Sequence, residues 1–259
     1  MKRGLYKAHA VVLNSIDYGE SDRILAFFTK EHGKIKGIAK GARRSRKRFV
    51  GNLDPLCHIK LNYYCGGGEL ARVEDASLIE GFHNLRTDIE RLSNACYILE
   101  LVSEMTREGQ VFPRVYGMLA GFLRMMDSGA GADGCLLRFF EIRLLNAIGF
   151  MPCIDRCVVC NKPIDGAANG AGRLNGFSSE KGGIVCGGCP AGGLLPISPG
   201  TARLLSTATK FDEDKLTRLV PGAAFTDESE RILYDFIKFQ IGKELKTKKF
   251  MHKLKNAGF

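Results

Sequence analysis

The chain has 259 residues, 45% of them hydrophobic, and is therefore expected to fold as one large globular domain or two to three small ones. Its 38 Lys and Arg residues against 28 Asp and Glu residues give a net charge of +10, which favours a polyanion or an anionic membrane surface as the partner. No apolar run reaches the length of about 18 residues typical of a membrane span, and no small-residue cleavage site follows the basic N-terminus, so we expect a soluble, intracellular protein.

The first part of the chain, up to about residue 80, predicts short β-strands with period-two alternation. Residues 56–64 are the clearest case, since Cys57, Ile59, Leu61 and Tyr63 fall on one face. Gly37 predicts a bulge, because Ile35 and Ile38 cannot share a face of an unbroken strand. Five short strands favour an OB-fold barrel that binds oligonucleotides, with an SH3-like barrel as the alternative. The predicted strands are 6–13, 23–29, 34–40, 56–64 and 70–76.

The segment GKIKGIAKGARRSRKRFVG, residues 33–51, contains basic residues and no acid. A solvated charged face or a nuclear import signal are the alternative interpretations. The alternating lysines and the glycine-hinged loop favour a surface for a nucleic-acid backbone. Stacking platforms would also be needed, and only one or two of the nearby aromatics Phe27, Phe28, Phe49, Tyr63 and Tyr64 are expected to serve. The predicted phosphate-binding residues are Lys34, Lys36, Lys40, Arg43, Arg44, Arg46, Lys47 and Arg48.

The hydrophobic period changes to that of helices from Thr87 onward. Thr87 and Glu90 predict a capping box at the start of the first helix. Further helices are predicted around residues 115–126 and 136–144, from the Ser198-Pro199 cap, and from Asp227 with Glu230. The lysine-rich segment 238–255 is either a solubilising tail or a second phosphate-contacting surface.

Nine cysteines include two C-x-x-C pairs, Cys157 with Cys160 and Cys186 with Cys189. Such pairs deliver four thiolates to one tetrahedral Zn²⁺ and leave no open position for water, so the spacing predicts one structural zinc per chain. Unrelated buried or redox cysteines are the alternative. Cys153 is interpreted as a partly buried free thiol. We expect no enzyme, because no histidine is followed by x-Glu and no Walker A sequence is present.

Three segments carry a resemblance to a known family; in chain order they are VVLNSIDYGESDRILAFFTKEHGKIKGIAKGARR, LLNAIGFMPCIDRCVVC and FSSEKGGIVCGGC. In this order they resemble the bacterial DNA repair protein RecO family, and the resemblance spans nearly the whole chain. The resemblance implies a recombination mediator that binds single- and double-stranded DNA, anneals complementary strands and helps load RecA. It implies RecR and the C-terminal tail of single-stranded DNA-binding protein as partners. Asn161 replaces a glycine common in the family, and it tolerates positive φ. The spacer GAANGAG is expected to be loose.

The expected architecture is an α+β multidomain protein. An OB-fold DNA-binding domain at 1–80 precedes an α-helical domain at 81–152 and 197–259, into which a four-cysteine zinc-finger module at 153–196 is inserted. The expected location is the cytoplasm, in association with the nucleoid. Two other functions remain open: a zinc-ribbon transcription factor, and a zinc-dependent enzyme acting on nucleic acid.

Overall fold

The computed structural model of the chain describes residues 1–45, 47–49, 51–131, 133–164, 174–190 and 192–256. The chain forms two compact units, of which the second is Gly129–Leu245. The first unit contains residues 1–128 together with the C-terminal helix. In the described part of the chain, no helix combines the length and apolar character that a bilayer span requires.

Five strands of the first unit form a closed barrel with the order β1-β2-β3-β5-β4. Strand β4 pairs back onto β1, and every pairing is antiparallel except that of β3 with β5. The five strands predicted from the alternation are therefore present. Their bounds are β1 (Gly4–Tyr18), β2 (Asp22–Thr29), β3 (Gly33–Ala39), β4 (His58–Cys65) and β5 (Ala71–Glu80).

The barrel interior contains the alternate residues of each strand, including the predicted set in β4. The bulge predicted at Gly37 is wrong, because β2 and β3 pair in unbroken register and Ile38 lies on the face opposite to Ile35. Gly37 instead permits close approach of β5, since a Cβ there would lie 3.0 Å from Cγ2 of Val73. The register of β1 with β2 shifts between Val12 and Asn14.

The helices of the first unit pack beside the barrel. The predicted capping box is wrong by one residue, because Asp88 rather than Thr87 accepts the backbone N–H groups of Glu90 and Arg91. The Thr87 hydroxyl instead donates to the carbonyl of Asn84, at the end of a preceding 3-10 turn. The helices of this unit are α1 (Ile89–Met105), α2 (Pro113–Asp127) and α7 (Lys246–Asn256).

The second unit combines four helices with one β-hairpin among its described residues. Ser198 caps α4 as predicted, with its hydroxyl oxygen accepting from the backbone N–H of Thr201. The helix predicted from Asp227 begins earlier, at Ala223 after the Gly222 cap. The elements are α3 (Asp133–Ala147), β6 (Leu174–Ser178), β7 (Gly183–Cys186), α4 (Pro199–Ala208), α5 (Glu213–Arg218) and α6 (Ala223–Ile241).

Candidate nucleic-acid interface and metal centre

The residues that follow β3, 40–48, form what we call the basic loop. Its last part is fixed by Phe49, which is buried in the barrel core. The Arg48 guanidinium lies 4.9 Å from the centroid of the Phe49 ring and donates to the carbonyl of Lys40 at 3.1 Å. Arg46 lies outside the described residues. Arg48 therefore links the last described part of the loop back to its first residue.

The turn between β1 and β2 holds the start of the basic loop. The carboxylate of Asp22 accepts the backbone N–H of Gly41 at 2.8 Å, which lowers the pKa of Asp22. Gly41 adopts φ +67°, a conformation that glycine reaches without strain. The backbone N–H of Arg43 donates to the carbonyl of Ser21 at 2.9 Å. These contacts join the Y-G-E-S-D and K-G-A-R segments in the fold.

Acids from elsewhere in the chain lie beside the predicted basic residues. Arg43 lies 3.4 Å from the carboxylate of Asp17, and Arg44 lies 3.5 Å from that of Glu20. Lys36 on β3 is paired with Glu108, with 2.6 Å between the ammonium and the carboxylate. The basic run, which has no acid in its own sequence, is therefore partly neutralised by the fold.

Lys34 differs from the other predicted residues because its ammonium points to the end of α1. It donates to the carbonyl oxygens of Ser103 and Thr106, and burial lowers its pKa. The neighbouring Gly33 is in close contact with the connection between α1 and α2, since a Cβ there would lie 2.0 Å from the carbonyl oxygen of Gln110. Lys34 thus satisfies helix-terminal carbonyls that would otherwise lack partners.

The other predicted cations that the structure describes have exposed side chains. They lie on β3 or in the loop that follows it, on the surface of the first unit. They are Lys36, Lys40, Arg43, Arg44, Lys47 and Arg48.

Most of the aromatic residues predicted near this surface are part of the core. Phe27, Phe28, Phe49 and Tyr63 are buried, in line with the expectation that only one or two of the five candidates could serve as stacking platforms. Tyr64 alone among the candidates lies on the outer face of the barrel, where the Arg72 guanidinium lies 5.7 Å from its ring centroid. Sequence reasoning missed Tyr18, which is 56% exposed at the end of β1, next to the turn between β1 and β2.

The four predicted zinc ligands converge in the second unit. The sulfur atoms of Cys157, Cys160, Cys186 and Cys189 all lie within 4.8 Å of one another. The distances from Cys186 Sγ to Cys160 Sγ and Cys189 Sγ are 3.6 and 3.7 Å. Zn–S bonds of about 2.3 Å in a tetrahedron require sulfur separations of about 3.8 Å. The arrangement therefore fits one four-coordinate metal ion.

The electrostatics of the cysteine cluster also favour a cation. Burial opposes ionisation of Cys157, but backbone N–H groups that include those of Cys186 and Val159 lower its pKa to about 6. The hydrogen bond with the Cys160 thiol is the largest cause that raises the pKa of Cys189, to about 12. Four thiolates this close repel one another, so a bound cation is what would allow all four to ionise together.

The two turns that carry the cysteines have defined supports. Asn161 adopts φ +61°, as its tolerance of positive φ predicted, and its N–H donates to the carbonyl of Cys157 at 2.9 Å. The second turn begins at the end of β7, and the N–H of Val158 donates to the carbonyl of Ile184 at 2.9 Å. Cys153 lies outside the four-sulfur set, with its sulfur near Asp155 and Arg156. The spacer GAANGAG lies outside the described residues.

Comparisons with known proteins agree on one family. Residues 1–82 match the model for the recombination protein O N-terminal region, and residues 86–249 match that for the recombination protein O C-terminal region. The chain is 33% identical to the DNA repair protein RecO of Syntrophus aciditrophicus, covering 99% of this chain and 98% of the relative. It is 33% identical to the protein of the same name from Anaeromyxobacter dehalogenans, covering 96% of each. A relative with this name from Thermoanaerobacter sp. is 31% identical, covering 97% of this chain and 99% of its own.

Proposed function

The chain belongs to the recombination protein O (RecO) family, and from this premise we propose that it is a recombination mediator whose barrel surface binds DNA. Its relatives are DNA repair proteins by name. The proposed mediator binds single- and double-stranded DNA and anneals complementary strands without breaking a bond. The expectation that it is not an enzyme belongs to the same proposal.

The observation that carries this proposal is the group of six exposed cations on and after β3. A surface that neutralises phosphates lowers the repulsion between two strands, which is the physical requirement for annealing. Lys34 is removed from the proposed contact set because its ammonium is used by α1. Arg46 stays in the set on its sequence position alone. Tyr64 and Tyr18 are the proposed platforms for unstacked bases.

We also propose that the barrel is an OB-fold. The closed strand order β1-β2-β3-β5-β4, with β4 returning to β1, supports this assignment. The predicted division into a DNA-binding barrel at 1–80, a helical domain and a metal module at 153–196 gives each part a role. The barrel holds DNA, the helices recruit partner proteins, and the cysteine module stabilises the fold.

The proposed partners are RecR, the C-terminal tail of single-stranded DNA-binding protein and, indirectly, RecA. Their proposed common task is to load RecA onto gaps coated by single-stranded DNA-binding protein, in the cytoplasm at the nucleoid. The proposed metal is Zn²⁺, because thiolate sulfur and four-coordinate geometry are typical of structural zinc. When bound, zinc would cross-link the two turns that carry the cysteines and would take no part in a reaction.

The direct test of this proposal is a salt titration of oligothymidine binding. If about five phosphates are neutralised, log K should fall against log salt with a slope of about −3.5. The variant Lys40→Glu/Arg44→Glu/Lys47→Glu should bind at least about 30-fold more weakly and reduce the slope to about −1.4, since three contacts are lost.

The matched control is Lys181→Glu/Lys210→Glu/Lys215→Glu, which changes the net charge equally through exposed lysines of the second unit. It should keep most of the affinity and the full slope. An equal loss of DNA affinity in both variants would mean that only the net charge of the protein matters. A salt slope near zero in the wild type would contradict a phosphate-binding surface. Preference for one duplex over unrelated duplexes would support the transcription-factor alternative.

A further inference from the structure

Helix α7 has two faces of different composition. Its inner face carries Met251 and Lys248, which is 2% exposed, with its ammonium 5.8 Å from the centroid of the Tyr97 ring. Its outer face carries a row of exposed side chains at spacings i, i+3, i+4 and i+7, which share one side of a helix. This row, which we call the outer row, is Lys246, Lys249, Phe250 and Lys253.

The outer row places an exposed aromatic ring among lysines. Phe250 is 47% exposed, and lysines lie one turn before it, directly before it and almost one turn after it. The helix contains no acid at all. An apolar partner alone would force burial of the ammonium groups of Lys246 and Lys253, which is costly unless the partner supplies negative charge. The partner that fits has flat apolar groups and regularly spaced negative charges.

Helix α7 is firmly attached to the first unit. The carboxylate of Glu100 on α1 accepts the backbone N–H groups of Lys246 and Thr247, each at 2.8 Å. These are N–H groups that the first turn of a helix leaves without partners, so Glu100 acts as a cap from another helix. The outer row therefore belongs to the same compact unit as the barrel with its basic loop.

We infer that the outer row is a second contact site for single-stranded nucleic acid, an inference that rests on the proposed function. The Phe250 ring stacks against an unpaired base, and Lys246, Lys249 and Lys253 contact phosphates. Along the helix axis, Lys246 and Lys253 are about 10.5 Å apart. Lys246 and Lys253 can therefore contact phosphates on either side of the stacked base.

A second site has a direct consequence for annealing. One protein unit would hold one strand at the basic loop and another at the outer row. The encounter of the two strands then takes place within one complex, where each strand has a raised effective concentration near the other. A duplex fits the outer row less well, because its bases are already stacked and are not available to Phe250. The site is therefore specific for unpaired strands.

The test measures how many strands one protein holds. Donor- and acceptor-labelled oligothymidines, which cannot pair with each other, are titrated onto the full chain, and energy transfer reports co-occupancy at a protein stoichiometry fixed by light scattering. Two variants probe the row: Lys249→Gln/Lys253→Gln removes charge, and Phe250→Leu keeps an apolar side chain but removes the stacking face. The matched control is Lys181→Gln/Lys210→Gln in the second unit.

Each α7 variant should weaken binding of the second strand by about 5- to 20-fold while the first-strand affinity is kept. The lysine variant should also reduce the salt slope of the second strand by about 1.4, whereas Phe250→Leu should leave that slope unchanged. Thermal unfolding verifies that the variants are folded, and the two variants are independent, so the failure of one to fold leaves the other decisive.

Unchanged co-occupancy in a folded variant would overturn the inference and leave the proposed function intact. Loss of binding to a polyglutamate peptide with unchanged co-occupancy would also overturn it, since the outer row would then bind acidic protein segments. A wild-type chain that holds no strand would overturn both the inference and the proposed function. A Lys40→Glu/Arg44→Glu/Lys47→Glu variant that still holds one strand, lost on adding Phe250→Leu, would support two separate sites.

Discussion

Each half of the cysteine cluster is specified by its own short motif, whereas the charge around the basic loop also depends on acids that lie outside the loop. Each cysteine pair occupies one tight turn, and the hairpin of β6 and β7 delivers the second pair to the first. Beside the basic loop lie Asp17, near the end of β1, and Glu20, in the turn between β1 and β2. Glu108 arrives beside β3 from the connection after α1.

This difference shows what a short motif can specify. Chelation by C-x-x-C is a local geometric property, so its spacing carries most of the information about the site. A surface potential is a sum over all nearby charges, so a run of basic residues specifies only one part of it. Variants in the two regions should therefore differ in both the size and the kind of their effects.

The largest effect is expected at the cysteine cluster. Cys157→Ser or Cys186→Ser removes a buried thiolate and with it most of the metal affinity, which should lower the free energy of unfolding by more than about 3 kcal/mol. Metal content by mass spectrometry and urea unfolding measure the two effects. Annealing should fall only in proportion to the folded fraction.

Cys153→Ser is the matched control, because this cysteine lies outside the four-sulfur set and should be replaced with the metal retained. A folded, metal-free wild type whose stability is unchanged by a chelator would contradict a structural metal.

An intermediate effect is expected at Lys34, which can be compared directly with its exposed neighbour Lys36. Lys34→Met leaves the carbonyls of Ser103 and Thr106 without their donor, which should lower stability by about 1–3 kcal/mol while the salt slope of DNA binding is kept. The exposed Lys36→Met should do the opposite, reducing the slope by about 0.7 with little change in stability. Urea unfolding and salt titrations of both variants measure these effects. A reduced slope with unchanged stability in Lys34→Met would make Lys34 a phosphate ligand.

The smallest effect on DNA binding is expected from the acids that pair with the exposed cations of β3 and the basic loop. Glu20→Gln and Glu108→Gln remove the partners of Arg44 and Lys36, and each should raise DNA affinity by about 2- to 5-fold at low salt. The gain should shrink as salt increases, because exposed pairs are screened. Glu180→Gln, at an exposed acid of the second unit, serves as the control. Anisotropy titrations in which all three variants match the wild type would show that the neighbouring acids do not weaken DNA binding.

The strands and the metal ligands can be predicted from sequence because their signals are local. Alternation places Ile59 and Leu61 inside the barrel without knowledge of the partner strands. The predicted cap of α1 differs from the observed one by a single residue, since Thr87 and Asp88 both suit a cap and only the backbone conformation distinguishes them.

Other features depend on distant contacts. Residues 246–256 form a helix whose cap is Glu100 and whose inner face includes Lys248, and neither is visible in the segment itself. The burial of Phe27 and Phe28 cannot be separated from a stacking role by residue type, because aromatic rings serve both. Tyr18 belongs to the family-like N-terminal segment, but its exposure becomes visible only in the fold.

The most direct test of the account is annealing of two complementary oligonucleotides, each precoated with the cognate single-stranded DNA-binding protein. We expect the wild type to anneal them and Lys40→Glu/Arg44→Glu/Lys47→Glu to fail, while the control Lys181→Glu/Lys210→Glu/Lys215→Glu keeps the activity. Tight DNA binding by the wild type without any annealing would contradict the mediator function.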